Sequence, residues 1–343
     1  MIATLIALSL LCLYGMEWGQ EKALPDYLSK DRKNAVNGVF ILIVFLSHIK
    51  FYITMSGHKY HSLGDMIYYR FFAMIGQLMV VMFLFYSGYG VMESIKKKGK
   101  PYIDNMPKKR ILTTLKNFDI AIVIYLLVNI MLGNAITGKQ FVLSLIAYED
   151  IGNSNWYIFV ILLCYFIHWI SAKAILFTHR TTFVFSLWGV TLLNGLVLCQ
   201  VKEPWWYNTL WAYPCGVFFS LYKQQIEGIV MKHFLLTVIV LSVLFLGIYL
   251  LTEDMMGIRT NALSVVYALG VVVMSMRIKI GNRILCWMGK HLFPIYIYQH
   301  VPMMVFSVVL PVWVLRDYPL AYILICFTFT MVITQVYSYF SSK

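Results

Sequence analysis

Apolar runs recur along the chain from residue 2 to residue 340, and no stretch between them is long enough to fold as a water-soluble unit. A helix needs about 20 mainly apolar residues to cross the hydrocarbon of a bilayer. Segments of that character lie near residues 2–16, 35–55, 72–92, 118–133, 155–172, 181–199, 206–222, 233–251, 261–276, 286–310 and 319–340. The expectation is therefore an all-α, polytopic transmembrane helical bundle of about 10–11 spans, with the first and fourth segments short. Membrane strands would alternate apolar and polar residues, which these runs do not, and helices satisfy their own backbone groups in lipid. Composition excludes a soluble fold. Of 343 residues, 60% are hydrophobic and 13% charged, against roughly 45–50% and 25% in globular domains, and the mean hydropathy is +0.74.

The 28 Lys and Arg against 15 Asp and Glu give a formal charge of +13. In a soluble protein such an excess points to nucleic acid. In a membrane protein it marks the cytoplasmic loops, so lipid and not nucleic acid is the expected partner. Assigning loops alternately to two sides places twenty Lys and Arg on one side, including Lys22, Lys30, Arg32, Lys33, the eight between residues 93 and 117, and Lys343. The other side receives six, namely Lys59, Arg70, Lys139, Lys202, Arg259 and Arg316, while Lys50 and Lys290 fall within spans. The first side is expected to be cytoplasmic, with the N-terminus outside and the C-terminus inside. The first segment lacks the basic start and cleavage site of a signal peptide. Residues 1–33 are read as an anchor helix with a cytoplasmic linker, and residues 34–343 as one membrane domain. All six cysteines, Cys12, Cys164, Cys199, Cys215, Cys286 and Cys326, lie in apolar runs without a CxxC pair, and are read as buried thiols. No metal site is expected.

Ionisable residues inside spans each cost roughly 2.5–3.5 kcal/mol on the insertion scale and mark functional positions. His48 lies about thirteen residues, roughly 20 Å, into its span, and His300 in FPIYIYQH reaches a similar depth from the same face. Two histidines at matched depth can line one cavity, although a single hydroxyl or carbonyl partner also satisfies a neutral imidazole. His168 lies near the end of its span and is read as interfacial. The loop holding Lys96, Lys97, Lys98, Lys100, Lys108, Lys109, Arg110 and Lys116 faces only Glu93 and Asp104. It suits anchoring to anionic lipid, or docking of a multiply phosphorylated ligand. Before it, FLFYSGYG interrupts an apolar helix at Ser87, Gly88 and Gly90, which permits close packing or a polar passage. On the opposite side, YEDIGNSNWYIF brings Glu149, Asp150, Asn155 and Trp156 to the mouth of the bundle, where Trp also serves as a headgroup anchor.

Taken in order, these segments resemble the integral-membrane acyltransferase family 3, which includes O-acetyltransferases of bacterial surface polysaccharides and the fucose-acetylase-like group. Asn34, Asn37-Gly38 and His48 match the spacing of its opening motif. FLFYSGYG matches its Ser-Gly-Phe helix, PKKRILTTLKNF its basic stretch, NWYIFVILLCY its aromatic helix start, and IYIYQH its late histidine. The resemblance covers roughly residues 34–340. Asn34 and Asn37 stand where the family has Asp and then Arg or Lys, and Thr113 stands where a second Arg is usual.

The resemblance implies an O-acyltransferase of the cell membrane. It would move an acyl group, acetyl in the first instance, from cytoplasmic acyl-CoA to a hydroxyl of a cell-surface glycan or lipid-linked sugar. His48 is the expected catalytic base, since an imidazole with a pKa near 6.5 is matched to a hydroxyl proton at neutral pH, and a covalent acyl-His48 is an alternative. Asn37, Ser87, Glu149, Trp156 and His300 are the expected substrate-binding residues, with Asn37, Ser87 and Trp156 also weighed as oxyanion donors. Lys108, Lys109 and Arg110 are expected to bind acetyl-CoA. The rival classes are a transporter or flippase for a lipid-linked sugar, and a structural subunit of a polysaccharide-assembly complex.

Overall fold

The computed structural model describes residues 1–19, 24, 26–251 and 257–341. The expectations for Lys22 and Lys343 lie outside the described residues. Every one of the eleven apolar segments contains a helix, and the chain is an all-α polytopic membrane bundle. Among the described residues, eight helical stretches are long and apolar enough to cross a bilayer: Lys30–Met55, Leu63–Lys98, Pro107–Met131, Trp156–Leu176, Arg180–Val201, Ile258–Arg277, Leu292–Val309 and Pro319–Ser341. A ninth candidate is the pair Lys223–Lys232 and Phe234–Leu250, bent by 100°. The expected spans near 2–16 and 206–222 are helices of 12 and 10 residues, Ile2–Leu13 and Ala212–Leu221. At 1.5 Å per residue they extend only about 18 and 15 Å, so neither crosses hydrocarbon alone.

Three further differences from expectation have local causes. The basic segment 93–117 is not a loop. The Leu78–Lys98 helix runs through Lys96–Lys98, Gly99 turns the chain at φ +63°, and a π-helical turn at Pro107–Leu112 leads into Thr113–Met131. The span expected near 118–133 therefore starts at Pro107. Residues 63–71, outside the expected spans, belong to a helix over Leu63–Ile75 capped by Ser62, whose hydroxyl accepts from the Asp65 amide. Among the described residues the only strands are Glu17–Trp18 and Ile278–Lys279, paired antiparallel.

The bundle is tied together by two backbone crossings. A methyl group at Gly38 would collide with the Leu285 carbonyl, and one at Gly289 with the Asn34 carbonyl. The Lys30–Met55 and Arg283–Lys290 helices thus touch main chain to main chain. Gly88 and Gly216 do the same for Leu78–Lys98 against Ala212–Leu221, meeting the Tyr213 and Phe85 carbonyls. Lipid offers no hydrophobic gain from helix association, so close van der Waals approach through small residues takes its place. At the end of the second crossing Glu93 accepts from Lys96 Nζ and from Ser220 Oγ, both at 2.7 Å.

One end of the bundle, here termed the basic face, carries Lys30, Lys33, Arg110 and Lys223. The other, the distal face, carries Tyr148–Asn155 and Lys202–Trp206. Gly38→Val or Gly216→Val should lower the melting temperature of the solubilised protein, because overpacking costs about 1–3 kcal/mol even where side chains can yield. Gly189→Ala, at an open helical position, should be neutral or gain roughly 0.5–1 kcal/mol. A thermal scan of the three variants checks this.

Candidate functional site

His48 lies 18 residues beyond Lys30, about 27 Å along its helix and in the distal half of the bundle. His300 is delivered by a helix break. Pro302 has no N–H to give the Tyr298 carbonyl, the Leu292–Val309 segment breaks its regular pattern at Gln299, and Tyr125 Oη donates to the nearby Ile297 carbonyl at 2.7 Å. The result is an imidazole pair, with His48 Nδ1 and His300 Nε2 3.0 Å apart. His300 Nδ1 is in turn 3.3 Å from Tyr52 Oη. His300 is buried and His48 half-buried.

Hydrogen-bond inventory leaves this chain two proton arrangements. In the first, His48 Nδ1–H donates to His300 Nε2, His300 Nδ1–H donates to Tyr52 Oη, and His48 Nε2 carries a free lone pair. In the second, every donor is reversed and His48 Nε2 carries the proton. Only the first leaves His48 able to accept a proton from a substrate.

His300 lines a distal cavity of about 930 Å³. Its walls include Tyr52, Tyr148, Trp156, Trp205 and Trp206, with Glu149, Asp150, Lys202 and Glu203 as the charged groups. The expected distal residues Glu149, Trp156 and His300 are thus brought together, with His48 directly behind His300. The segment that shapes the mouth is held from several sides. Asn155 Nδ2 donates to the Ala147 carbonyl at 2.8 Å and to the Glu149 carbonyl at 2.5 Å. Asn129 Nδ2 reaches the Ile151 carbonyl at 2.8 Å, and Tyr296 Oη the Ser154 carbonyl at 2.9 Å. These bonds stabilise left-handed backbone at Ala147 and Ser154, φ +59° and +49°, a conformation costly for residues with a side chain.

A second, smaller cavity of about 240 Å³ opens toward the basic face. Asn37, Ser87 and Arg110 line it as a group, joined by Lys30, Lys33 and Asn34. Asn37 Oδ1 is buried there without a hydrogen-bond partner. Lys33 Nζ stands 5.2 Å from the Tyr89 ring centroid, Tyr102 Oη accepts from Arg110 Nε at 2.9 Å, and Ser87 Oγ accepts from Tyr165 Oη at 3.4 Å. The three cations face no carboxylate in this lining.

Three expectations are corrected here. Lys108 and Lys109 are exposed on the π-helical turn and do not line the cavity, because successive residues there point in different directions and only Arg110 turns inward. Asn37 and Ser87 do not stand beside His48. Asn37 is eleven residues earlier on the same helix, about 16 Å away along its axis, and Ser87 lines the basic-face cavity with it. His168 is not interfacial. It is fully buried, with Nδ1 3.0 Å from Tyr213 Oη. Of the cysteines, Cys199 is exposed and Cys12 and Cys286 half-exposed, and all six are free thiols. Lys30 and Lys33 were missed as site residues, although their spacing of three on one helix face was visible in KDRKN.

Between the cavities lies an aromatic layer. Tyr157 lines the basic-face cavity while its neighbour Trp156 lines the distal one, as the turn of a helix requires. The Tyr157 ring lies 5.3 Å from that of Tyr296 and 6.0 Å from that of Phe83, and Tyr296 stands 6.3 Å from His48.

No family model matches the chain, and neither does any curated protein or solved structure.

Asn155→Ala should leave the Ala147 and Glu149 carbonyls without their donor, at about 1–3 kcal/mol for each buried unmet group. Faster amide exchange confined to residues 147–155, with the spanning helices unchanged, is the expected readout.

Proposed function

We propose that the chain is a membrane O-acyltransferase of the cell membrane, taking an acyl group from acyl-CoA at the basic face and transferring it to a sugar hydroxyl at the distal face. The acyl group is acetyl in the simplest case, and the acceptor a cell-surface glycan or lipid-linked sugar. The observation that carries this reading is the placement of two chemically opposite cavities on either side of one imidazole pair. The basic-face cavity offers Lys30, Lys33 and Arg110 with no carboxylate in its lining, a setting for the phosphates of a CoA thioester. The distal cavity offers aromatic walls and carboxylates, which suit the apolar faces and hydroxyls of a sugar.

In this reading His48 Nε2 takes the proton of the acceptor hydroxyl as its oxygen attacks the thioester carbonyl. The C–O bond forms, the C–S bond breaks, and the CoA thiolate leaves with the proton that His48 then returns. In the productive tautomer His300 Nε2 accepts from His48 Nδ1–H and Tyr52 Oη accepts from His300 Nδ1–H. The thioester has to pass about 12–16 Å from the basic-face cavity to the pair, judged from Leu292 to His300 and from Asn37 to His48. The long pantetheine arm of CoA suits that distance, and Tyr157 and Tyr296 are the side chains it would displace.

Oriented proteoliposomes with acetyl-CoA at the basic face and a sugar acceptor at the distal face test the reading. The wild type should release CoA only when acceptor is present, and His48→Ala should lower turnover by 10²–10⁴-fold, the usual worth of a general base. Sugar movement without CoA release would replace the enzyme by a transporter. Lys33→Glu and Arg110→Glu should each raise KM for acetyl-CoA about 10-fold or more, because a bond to a charged group contributes roughly 1.5–3 kcal/mol of ground-state binding. Lys108→Glu and Lys109→Glu should leave KM unchanged. Equal effects from all four would return the cations to a general anchoring role.

A further inference from the structure

The charges of the distal cavity do not balance. Glu149, Asp150 and Glu203 face one cation, Lys202, and that cation is already committed. Its Nζ donates to the Tyr148 carbonyl at 2.7 Å and stands 3.6 Å and 4.5 Å from the Tyr148 and Trp206 ring centroids, with Glu149 Oε1 at 4.0 Å. The Lys202 side chain is 9% exposed. Among the described residues, neither Asp150 nor Glu203 has an ion-pair partner, and Asp150 accepts only from the Gly152 amide at 3.0 Å. A ligand entering this space therefore meets carboxylate acceptors and aromatic faces, with no cation free to receive it. His300, reached from the same cavity and bonded to His48, directs whatever enters toward the imidazole pair.

We infer that the acceptor portion entering the distal cavity is a hydrogen-bond-donating, non-anionic sugar, bearing hydroxyl or ammonium groups and no phosphate, sulfate or carboxylate. The inference rests on the acyl-transfer reading for the word acceptor and on the cavity alone for its chemistry. Ionised carboxylates only accept hydrogen bonds, so hydroxyls and ammonium groups satisfy them. Aromatic faces add stacking for a sugar ring and cation–π attraction for an ammonium. An anionic substituent meets like charge from Glu149, Asp150 and Glu203 and finds no cation in the lining to offset it.

The test is equilibrium binding to the intact protein in zwitterionic nanodiscs, followed by the fluorescence of the cavity tryptophans. Three oligosaccharides of matched length serve as probes: a neutral glucan, a glucosamine oligomer and a uronic-acid oligomer, all at pH 7. The neutral and amine-bearing probes should bind, with the uronate at least tenfold weaker, and Glu149→Gln with Glu203→Gln should narrow that gap. Uronate binding equal to or tighter than the neutral probe, or no binding by any of the three, would overturn the inference. Because no acyl-CoA is present, the result is separable from the acyl-transfer reading. Selective sugar binding without acceptor-dependent CoA release would sink that reading while leaving the charge selectivity intact.

Discussion

Main-chain contact through paired glycines is the constraint on which the rest of the structure depends. In water, helices associate because burial removes apolar surface from solvent; in lipid that gain is absent, and closeness of approach must supply the attraction. Gly38 against Leu285 and Gly289 against Asn34 bring one pair of helices to touching distance, and Gly88 and Gly216 bring another. The residues beside these contacts are placed toward one cavity. Asn34 and Asn37 precede Gly38 by four residues and one residue, Ser87 precedes Gly88, and all three line the same basic-face cavity. Each glycine buries its own backbone in a neighbour, and the adjacent turn of helix is rotated toward the cavity.

The two cavities are separated by tyrosine and phenylalanine side chains and not by a continuous helix wall. Tyr296 is tethered through its hydroxyl to Ser154, in the segment that forms the distal mouth. Displacement of this aromatic layer would therefore disturb the distal mouth as well, because its anchor is the left-handed turn at Ser154. A single hydrogen bond and a packed ring thus connect the layer between the cavities to the shape of the distal mouth.

The fold was legible because lipid imposes a length and a composition that few other environments demand. All eleven apolar segments carry helices, and the matched depth of His48 and His300 follows from a rise per residue that hardly varies. What a single sequence does not carry is lateral direction. The cluster at 96–116 drew attention by density, yet only Arg110 from it lines the cavity, beside Lys30 and Lys33 from a less conspicuous stretch. His168 looked interfacial by distance from its helix end, but bundle packing at that level encloses it. The segment near 206–222 was read as a span, and that near 2–16 as an anchor or partly inserted helix, because hydropathy counts residues that are apolar, whereas the helices that form there have only 10 and 12 residues. Of the candidate site, the distal half was read nearly whole, since its acidic and aromatic residues are adjacent in sequence; the basic-face half required contacts between distant helices.

The partner of His48 is itself an imidazole, and the surroundings explain why that choice is workable. A carboxylate in the place of His300 would hold a permanent charge in the bundle interior, where uncompensated charge costs several kcal/mol. A neutral imidazole can orient His48 through one lone pair at far smaller desolvation cost, and carries charge only when a proton has been taken up. The phenol of Tyr52 extends the chain into the distal cavity, where its hydroxyl can serve either proton arrangement of the pair. The pair is thus joined through Tyr52 to the distal cavity. In the proposed acyl transfer that arrangement would supply a base without a permanent charge in the bilayer interior.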